Sequence, residues 1–142
     1  MDIRALTPDF AVSPQIEPAD LPAIKAAGYK AVICNRPDAE NPVELQAEVL
    51  RAATEAAGLV FIENPLAPGE MSLEHVHGQR EALMAVDGPV FAYCASGTRS
   101  AMLWSFAQAG QMPRDEIIAA AAQAGYDLGH LGPQIDALAA QG

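Results

Sequence analysis

Aromatic side chains are scarce in this chain, with four Phe, three Tyr and one Trp in 142 residues. Alanine is abundant in their place, so helices must approach their neighbours through small side chains. Cysteine is scarcer still. Cys34 and Cys94 stand 60 positions apart, a usage that suits free thiols in a reducing compartment and excludes a disulfide framework or a cysteine metal cage. Lysine and arginine together number eight against 18 acidic residues, giving a formal charge of -10 with no basic cluster. That argues against a nucleic-acid partner, because the phosphate backbone needs a basic surface. No segment approaches the roughly 18 apolar residues of a membrane helix, and Met1-Asp2-Ile3-Arg4 lacks the basic start of a secretory leader. The expectation is a cytoplasmic protein with no membrane partner. Its 51% hydrophobic and 18% charged content can bury a core, and no linker or repeat divides residues 1–142, which are expected to form one domain.

Short apolar runs alternate with longer amphipathic or alanine-rich segments, the rhythm of a mainly parallel sheet flanked by helices. Four strands are predicted, near Phe10–Ser13, Ala31–Asn35, Leu59–Glu63 and Val90–Tyr93. Helices are predicted over Pro18–Ala27, from Pro42 through Ala57, from Ser72 to near Val86, over Arg99–Ala109, from Pro113 through Ala124, and from Pro133 in the tail. Gly28, Gly58, Gly110 and Gly125 stand where helices should stop. The Arg99–Ala109 segment is apolar on nearly every side, so it should be buried, with Trp104 and Phe106 as core residues.

The predicted strand ending at Tyr93 leads directly into Cys94-Ala95-Ser96-Gly97-Thr98-Arg99-Ser100 and then a helix. A strand, a tight loop of small residues and a helix aim successive backbone N–H groups at one point, at the positive end of the helix. Such a point binds an oxyanion and favours thiolate over thiol at Cys94, the candidate nucleophile. Ala95, Ser96, Gly97 and Thr98 line the cradle; Gly97 permits its turn, and Arg99 offers a planar fork of donors to two oxygens. Ser100 is a candidate donor to the thiolate. The competing reading is a structural cysteine beside a capping serine.

With these residues in view the chain resembles the beta-lactamase-hydrolase-like phosphatase domain family, relatives of the dual-specificity phosphatases, from about Phe10 to Leu131. The matching landmarks are Val12-Ser13-Pro14-Gln15, Ala27-Gly28-Tyr29-Lys30, Asn35-Arg36-Pro37-Asp38, Asn64-Pro65-Leu66-Ala67-Pro68-Gly69, Gly88-Pro89-Val90, the Cys94–Ser100 loop and Ala124-Gly125-Tyr126-Asp127-Leu128. The resemblance implies an α/β fold of the tyrosine and dual-specificity phosphatase type, with a sheet of four to five strands. It also implies Cys94 as nucleophile and the loop to Arg99 as anion cradle. No cofactor or metal is implied, and the partner is a small anionic substrate.

Two departures keep three functions open: a phosphatase-like hydrolase, a rhodanese-like sulfurtransferase carrying a persulfide on Cys94, and a non-catalytic anion-binding module. Ordinary tyrosine phosphatases have five residues between Cys and Arg, whereas this chain has four, as in the shorter sulfurtransferase loops. No aspartate occupies the usual general-acid loop; Glu70 is the nearest carboxylate that could substitute, and its bland alternative is a solvated charge leading a helix. Tyr93 also replaces the histidine that usually precedes the cysteine. Arg36, at the carboxyl end of a strand, either reaches the bound anion or forms a surface salt bridge with Asp38 or Glu40. The resemblance sets the Cys34 strand beside the Cys94 strand, so Cys34 is either a small buried hydrophobe or a disulfide partner for the nucleophile. His75 and His77, two apart on one helix, point to different faces and, with His130, make a poor metal set.

Overall fold

The computed structural model describes residues 1–141; Gly142, the last residue of the expected domain, lies outside the described residues. Five strands form one sheet: β1 (Arg4–Thr7), β2 (Phe10–Ser13), β3 (Ala31–Cys34), β4 (Val60–Glu63) and β5 (Val90–Tyr93), in the spatial order β1-β2-β5-β3-β4. β2, β5, β3 and β4 run parallel, and β1 pairs antiparallel with β2. All four predicted strands are present, two of them one residue shorter. β1 is the strand the sequence reading missed. Only Leu6 of its four residues is buried, so it carries little hydrophobic signal, and a short turn in which Thr7 Oγ1 accepts the Asp9 N–H at 3.1 Å returns the chain into β2.

Every residue of β2, β3 and β5 is buried, as central parallel strands require, and helices cover both faces. On one face α1 (Leu21–Ala26) and α2 (Ala47–Ala56) bring Leu21, Ile24 and Leu50 against Val32, Phe61, Phe91 and Tyr93. On the other, α3 (Leu73–Ala85), α4 (Thr98–Ala107), α5 (Arg114–Gln123) and α6 (Gly132–Ala140) pack against Phe10, Val12, Ile33, Val90 and Ala92. α4 is buried nearly all round, as its composition predicts. Trp104 stacks on Phe10 with ring centroids 5.9 Å apart, and Phe106 is buried beside it. No helix among the described residues is long and apolar enough to cross a membrane.

The helix that the sequence places from Pro42 begins instead at Ala47. Residues 43–45 form a separate short turn and Gln46 is extended, because Asp38 Oδ1 reaches across nine positions to accept the Ala47 N–H at 2.8 Å. That cap fixes where α2 starts and shapes the segment between β3 and α2 that carries Glu40. Likewise residues 18–20 form a tight turn ahead of α1, while Gly28 ends that helix with φ +100° as anticipated. Asp38→Ala is expected to lower stability by about 1 kcal/mol, seen as a lower urea midpoint at unchanged slope, since it leaves an N-terminal donor of α2 without its cap.

Candidate active site

Parallel strands deliver their carboxyl ends to one edge of the sheet, and the candidate residues gather there. β5 ends at Tyr93, and the chain turns through Cys94–Gly97 into α4. Gly97 takes φ +93°, in the left-handed region, and donates its N–H to Cys94 Sγ at 3.1 Å. A side chain at position 97 is excluded twice over. The backbone conformation disfavours it, and a Cβ there would meet the Tyr126 ring, with Cζ at 3.0 Å and the hydroxyl nearer still. Tyr126 in turn donates its hydroxyl to the Ser96 carbonyl at 3.1 Å, bracing the loop from outside, and burial raises its pKa. The N–H groups of Ala95 and Ser96 have no partner among the described residues, whereas the Thr98 N–H donates to Ser96 Oγ at 3.4 Å.

Arg99 turns inward. Its NH1 and NH2 donate to Glu40 Oε2 and Oε1 at 2.8 and 2.7 Å, and NH1 also donates to the Leu66 carbonyl at 2.6 Å. Of the five N–H groups of a guanidinium, three are taken, and the Nε–H and one NH2 hydrogen have no partner among the described residues. Glu40 foremost, and also the nearby Cys94 sulfur, hold the Arg99 pKa above its ordinary value. The same pairing, chiefly the hydrogen bond from Arg99, holds the Glu40 carboxyl below the usual carboxylate range. Cys94 itself has no exposed surface, but its sulfur is not enclosed by hydrocarbon alone, since the Gly97 N–H donates to it and the Arg99 charge is near enough to act on it.

Arg36 takes the salt bridge that was one of its two expected roles, with Nε 3.2 Å from Glu40 Oε1, and the carboxylate is thereby shared with Arg99. Ser100 does not bond to the thiol. Its hydroxyl is buried and donates to Asn35 Oδ1 at 2.9 Å, into a network in which Asn35 and Gln79 exchange bonds at 3.0 and 3.2 Å and Asn64 donates to Gln79 Oε1 at 2.9 Å. The network ties the loop after β4 and helix α3 to the end of β3 and the start of α4. Glu70 is exposed on the turn after Leu66 and makes no side-chain hydrogen bond or ion pair among the described residues. Ser96 Oγ donates to Thr98 Oγ1 at 3.0 Å on the exposed part of the loop.

Cys34 and Cys94 are both free. Cys34 registers with Tyr93, and strand alternation sends the next residue, Cys94, to the opposite side, so of the two readings of Cys34 the small buried residue stands and the disulfide does not. Burial raises the Cys34 pKa, as expected of a small buried residue, and its thiol donates to the Arg36 carbonyl at 3.3 Å. Tyr93 Oη is buried without a hydrogen-bond partner, on the face of the sheet away from the loop. No group of histidine, cysteine and carboxylate residues among the described residues is arranged to hold a metal; His75 Nδ1 lies 2.9 Å from Ser72 Oγ, at the capped start of α3. The residues that sequence reasoning missed are Glu40 as the anchor of Arg99, Asn35 and Gln79 in the network, and Tyr126 as the brace. Of these, Glu40 carried a signal in its spacing of four from Arg36, Asn35 and Tyr126 stood in landmarks of the resemblance, and Gln79 carried none.

This sheet order, with a cysteine loop leading from the central strand into a buried helix, defines the tyrosine and dual-specificity phosphatase-like class of folds. The phosphatase-like domain of beta-lactamase hydrolase-like proteins matches residues 2–111, and the chain belongs to that family. A Neisseria meningitidis protein of known structure, provisionally described as a phosphatase, is 34% identical and superposes with a TM-score of 0.83 over 97% of this chain and 99% of that one. TpbA of Pseudomonas aeruginosa, crystallised with phosphotyrosine, shares the fold at 14% identity and a TM-score of 0.67, over 99% of this chain and 91% of that one. The beta-lactamase hydrolase-like protein of Xylella fastidiosa strain Temecula1 is 30% identical over 91% of this chain, which spans only 30% of that relative. The corresponding protein of Agrobacterium fabrum is 30% identical over 78% of the chain, and 26% of that relative is spanned.

Two outcomes test the geometry. Gly97→Ala is expected to cost roughly 2–3 kcal/mol of stability in urea denaturation, through the left-handed backbone and the crowded Tyr126 ring. Because the folded pKa of Glu40 is depressed, the stability it contributes is present above its unfolded value of about 4.3 and is lost as pH falls through the lower, folded value. Urea midpoints of the native protein should therefore fall more steeply below about pH 4 than those of Glu40→Gln.

Proposed function

We propose that this phosphatase-like domain is a cysteine-dependent hydrolase of phosphate monoesters, with Cys94 as nucleophile. The observation that carries the reading is the division of labour within the Arg99 guanidinium. One edge is fixed by Glu40 and the Leu66 carbonyl, and the Nε–H and NH2 donors remain free beside the Cys94 sulfur. A planar fork with a free edge is suited to two oxygens of a phosphoryl group, and the unpartnered loop N–H groups suit the third. The loop's position at the end of the central strand supports the same reading, as does the kinship with structures described as phosphatases. Among structures sharing the fold, a kinase-associated phosphatase is described with a catalytic-site cysteine.

In the proposed reaction the Cys94 thiolate attacks phosphorus, and the S–P bond forms as the P–O bond to the leaving group breaks. The leaving oxygen takes a proton from Glu70, which lies four residues beyond Leu66 on the same loop and is exposed. Water then gives a proton to the Glu70 carboxylate and displaces the sulfur as the S–P bond breaks, releasing inorganic phosphate and restoring both the thiolate and the Glu70 acid. Arg99 and the unpartnered amides of Ala95 and Ser96 hold the equatorial oxygens in both steps, while the Gly97 amide stays on the Cys94 sulfur and Gly97 and Thr98 shape the cradle. Ser100 acts as a positioning residue, locking the start of α4 to Asn35.

Purified protein is expected to release phosphate from p-nitrophenyl phosphate, and to form no thiocyanate from thiosulfate and cyanide. Cys94→Ser should abolish the phosphate release, and Arg99→Lys should lower kcat/KM by about 100-fold or more. Glu70→Gln should matter little for p-nitrophenol, a good leaving group, and should slow an alkyl phosphate by about 100-fold. Sulfur transfer without phosphate release would overturn the reading, and equal effects of Glu70→Gln on both substrates would remove Glu70 from it.

A further inference from the structure

The arginines of this acidic chain are distributed unevenly. Arg51 faces two carboxylates, Glu63 at 2.6 Å and Glu55 at 3.8 Å, and Arg114 faces two more, Asp136 at 2.8 Å and Asp115 at 3.4 Å. Around Glu40 the ratio is reversed, because Arg36 and Arg99 both donate to the same oxygen, Glu40 Oε1, at 3.2 and 2.7 Å. The neighbouring carboxylate, Asp38, is turned away to cap α2. Two guanidiniums therefore share one carboxylate in a chain of net charge -10.

Arg36 is also held more firmly than a surface arginine. Its NH1 donates to Gln15 Oε1 at 3.2 Å and its NH2 to the Glu40 carbonyl at 3.1 Å. Gln15 Oε1 is fixed in turn by Asn41 Nδ2 at 3.0 Å, and the Gln15 N–H donates to the Ala95 carbonyl of the Cys94 loop at 3.3 Å. Three of the five N–H groups of Arg36 are used, the other two have no partner among the described residues, and the side chain is 19% exposed. One phosphoryl group needs one guanidinium edge, which Arg99 supplies. A second guanidinium, preorganised on the same carboxylate and tied to the same loop, exceeds that need.

We infer that Arg36, fixed by Gln15 and Glu40 beside Arg99, binds a second anionic group of the substrate, so that the preferred substrates are phosphate esters carrying another phosphate or carboxylate close to the scissile phosphoryl group. This rests on the phosphate-ester reading above, but its first test needs no turnover. Calorimetry on Cys94→Ser with inorganic phosphate and with pyrophosphate should give about tenfold or more tighter binding of pyrophosphate. Arg36→Gln in the same background should remove that preference, and Gln15→Ala, which frees Arg36 without replacing it, should reduce it.

The second test uses matched substrates, phenyl phosphate against its carboxyphenyl analogues. The ratio of their kcat/KM values should favour a carboxylate-bearing ester by about tenfold and fall to near one in Arg36→Gln, even where both values drop because Glu40 is held less firmly. Equal affinity for phosphate and pyrophosphate, or a preference that survives Arg36→Gln, would overturn the inference. Should Arg36→Gln not fold, Gln15→Ala and the native substrate ratio decide the matter. A pyrophosphate preference without turnover of any ester would instead count against the hydrolase reading, which keeps the two failures apart.

Discussion

Two parallel hydrogen bonds between the Glu40 carboxylate and the Arg99 guanidinium organise the functional end of this molecule. An arginine side chain beside a buried sulfur has several rotatable bonds and no reason of its own to present one particular edge. The bidentate pair, with the Leu66 carbonyl as a third acceptor, consumes three donors and leaves the Nε–H and one NH2 hydrogen free. The pair is partly buried, with side-chain exposures of 15% for Arg99 and 25% for Glu40, so it is less screened than the chain's surface ion pairs.

That interaction is possible because other parts of the chain are fixed first. Glu40 is carried on the segment after β3, whose course is set by Asp38 reaching forward to cap α2. Arg99 is carried on the first turn of α4, whose position is set by Gly97 against Tyr126 and by Ser100 bonded to Asn35. The loop that supplies Leu66 is tied back through Asn64 to Gln79 on α3. Buried side-chain amides and a hydroxyl satisfied by one another are a costly arrangement when incomplete and a rigid one when complete. Here the Asn35, Asn64, Gln79 and Ser100 bonds join four separate elements at the floor of the site.

Much of the fold was legible in the sequence because its signals are local. Apolar runs between glycine and proline turns marked the four parallel strands, and the all-apolar surface of α4 announced its burial. β1 escaped notice because an edge strand with one buried residue has no pattern to read, and the start of α2 was misplaced because its cap comes from nine residues away. At the site, the Cys94–Arg99 loop was readable as a unit, since strand, glycine, arginine and helix follow one another. Glu40 and Arg99 are 59 positions apart, and Ser100 and Asn35 are 65 apart, so their pairing exists only once the parallel strands bring their carboxyl ends together. Ser100 reads as a donor to the nearer sulfur for the same reason: adjacency in sequence is visible, and the buried Asn35 is not.

The most direct test of this account is to look for the covalent intermediate itself. The protein is mixed with a single equivalent of an aryl phosphate, quenched within milliseconds in alkaline denaturant, and weighed intact. The account predicts a species heavier by one phosphoryl group, localised to Cys94 by peptide mapping, absent from Cys94→Ser and strongly reduced in Glu40→Ala. Hydrolysis of the aryl phosphate with no adduct on Cys94, or undiminished adduct formation in Glu40→Ala, would contradict it.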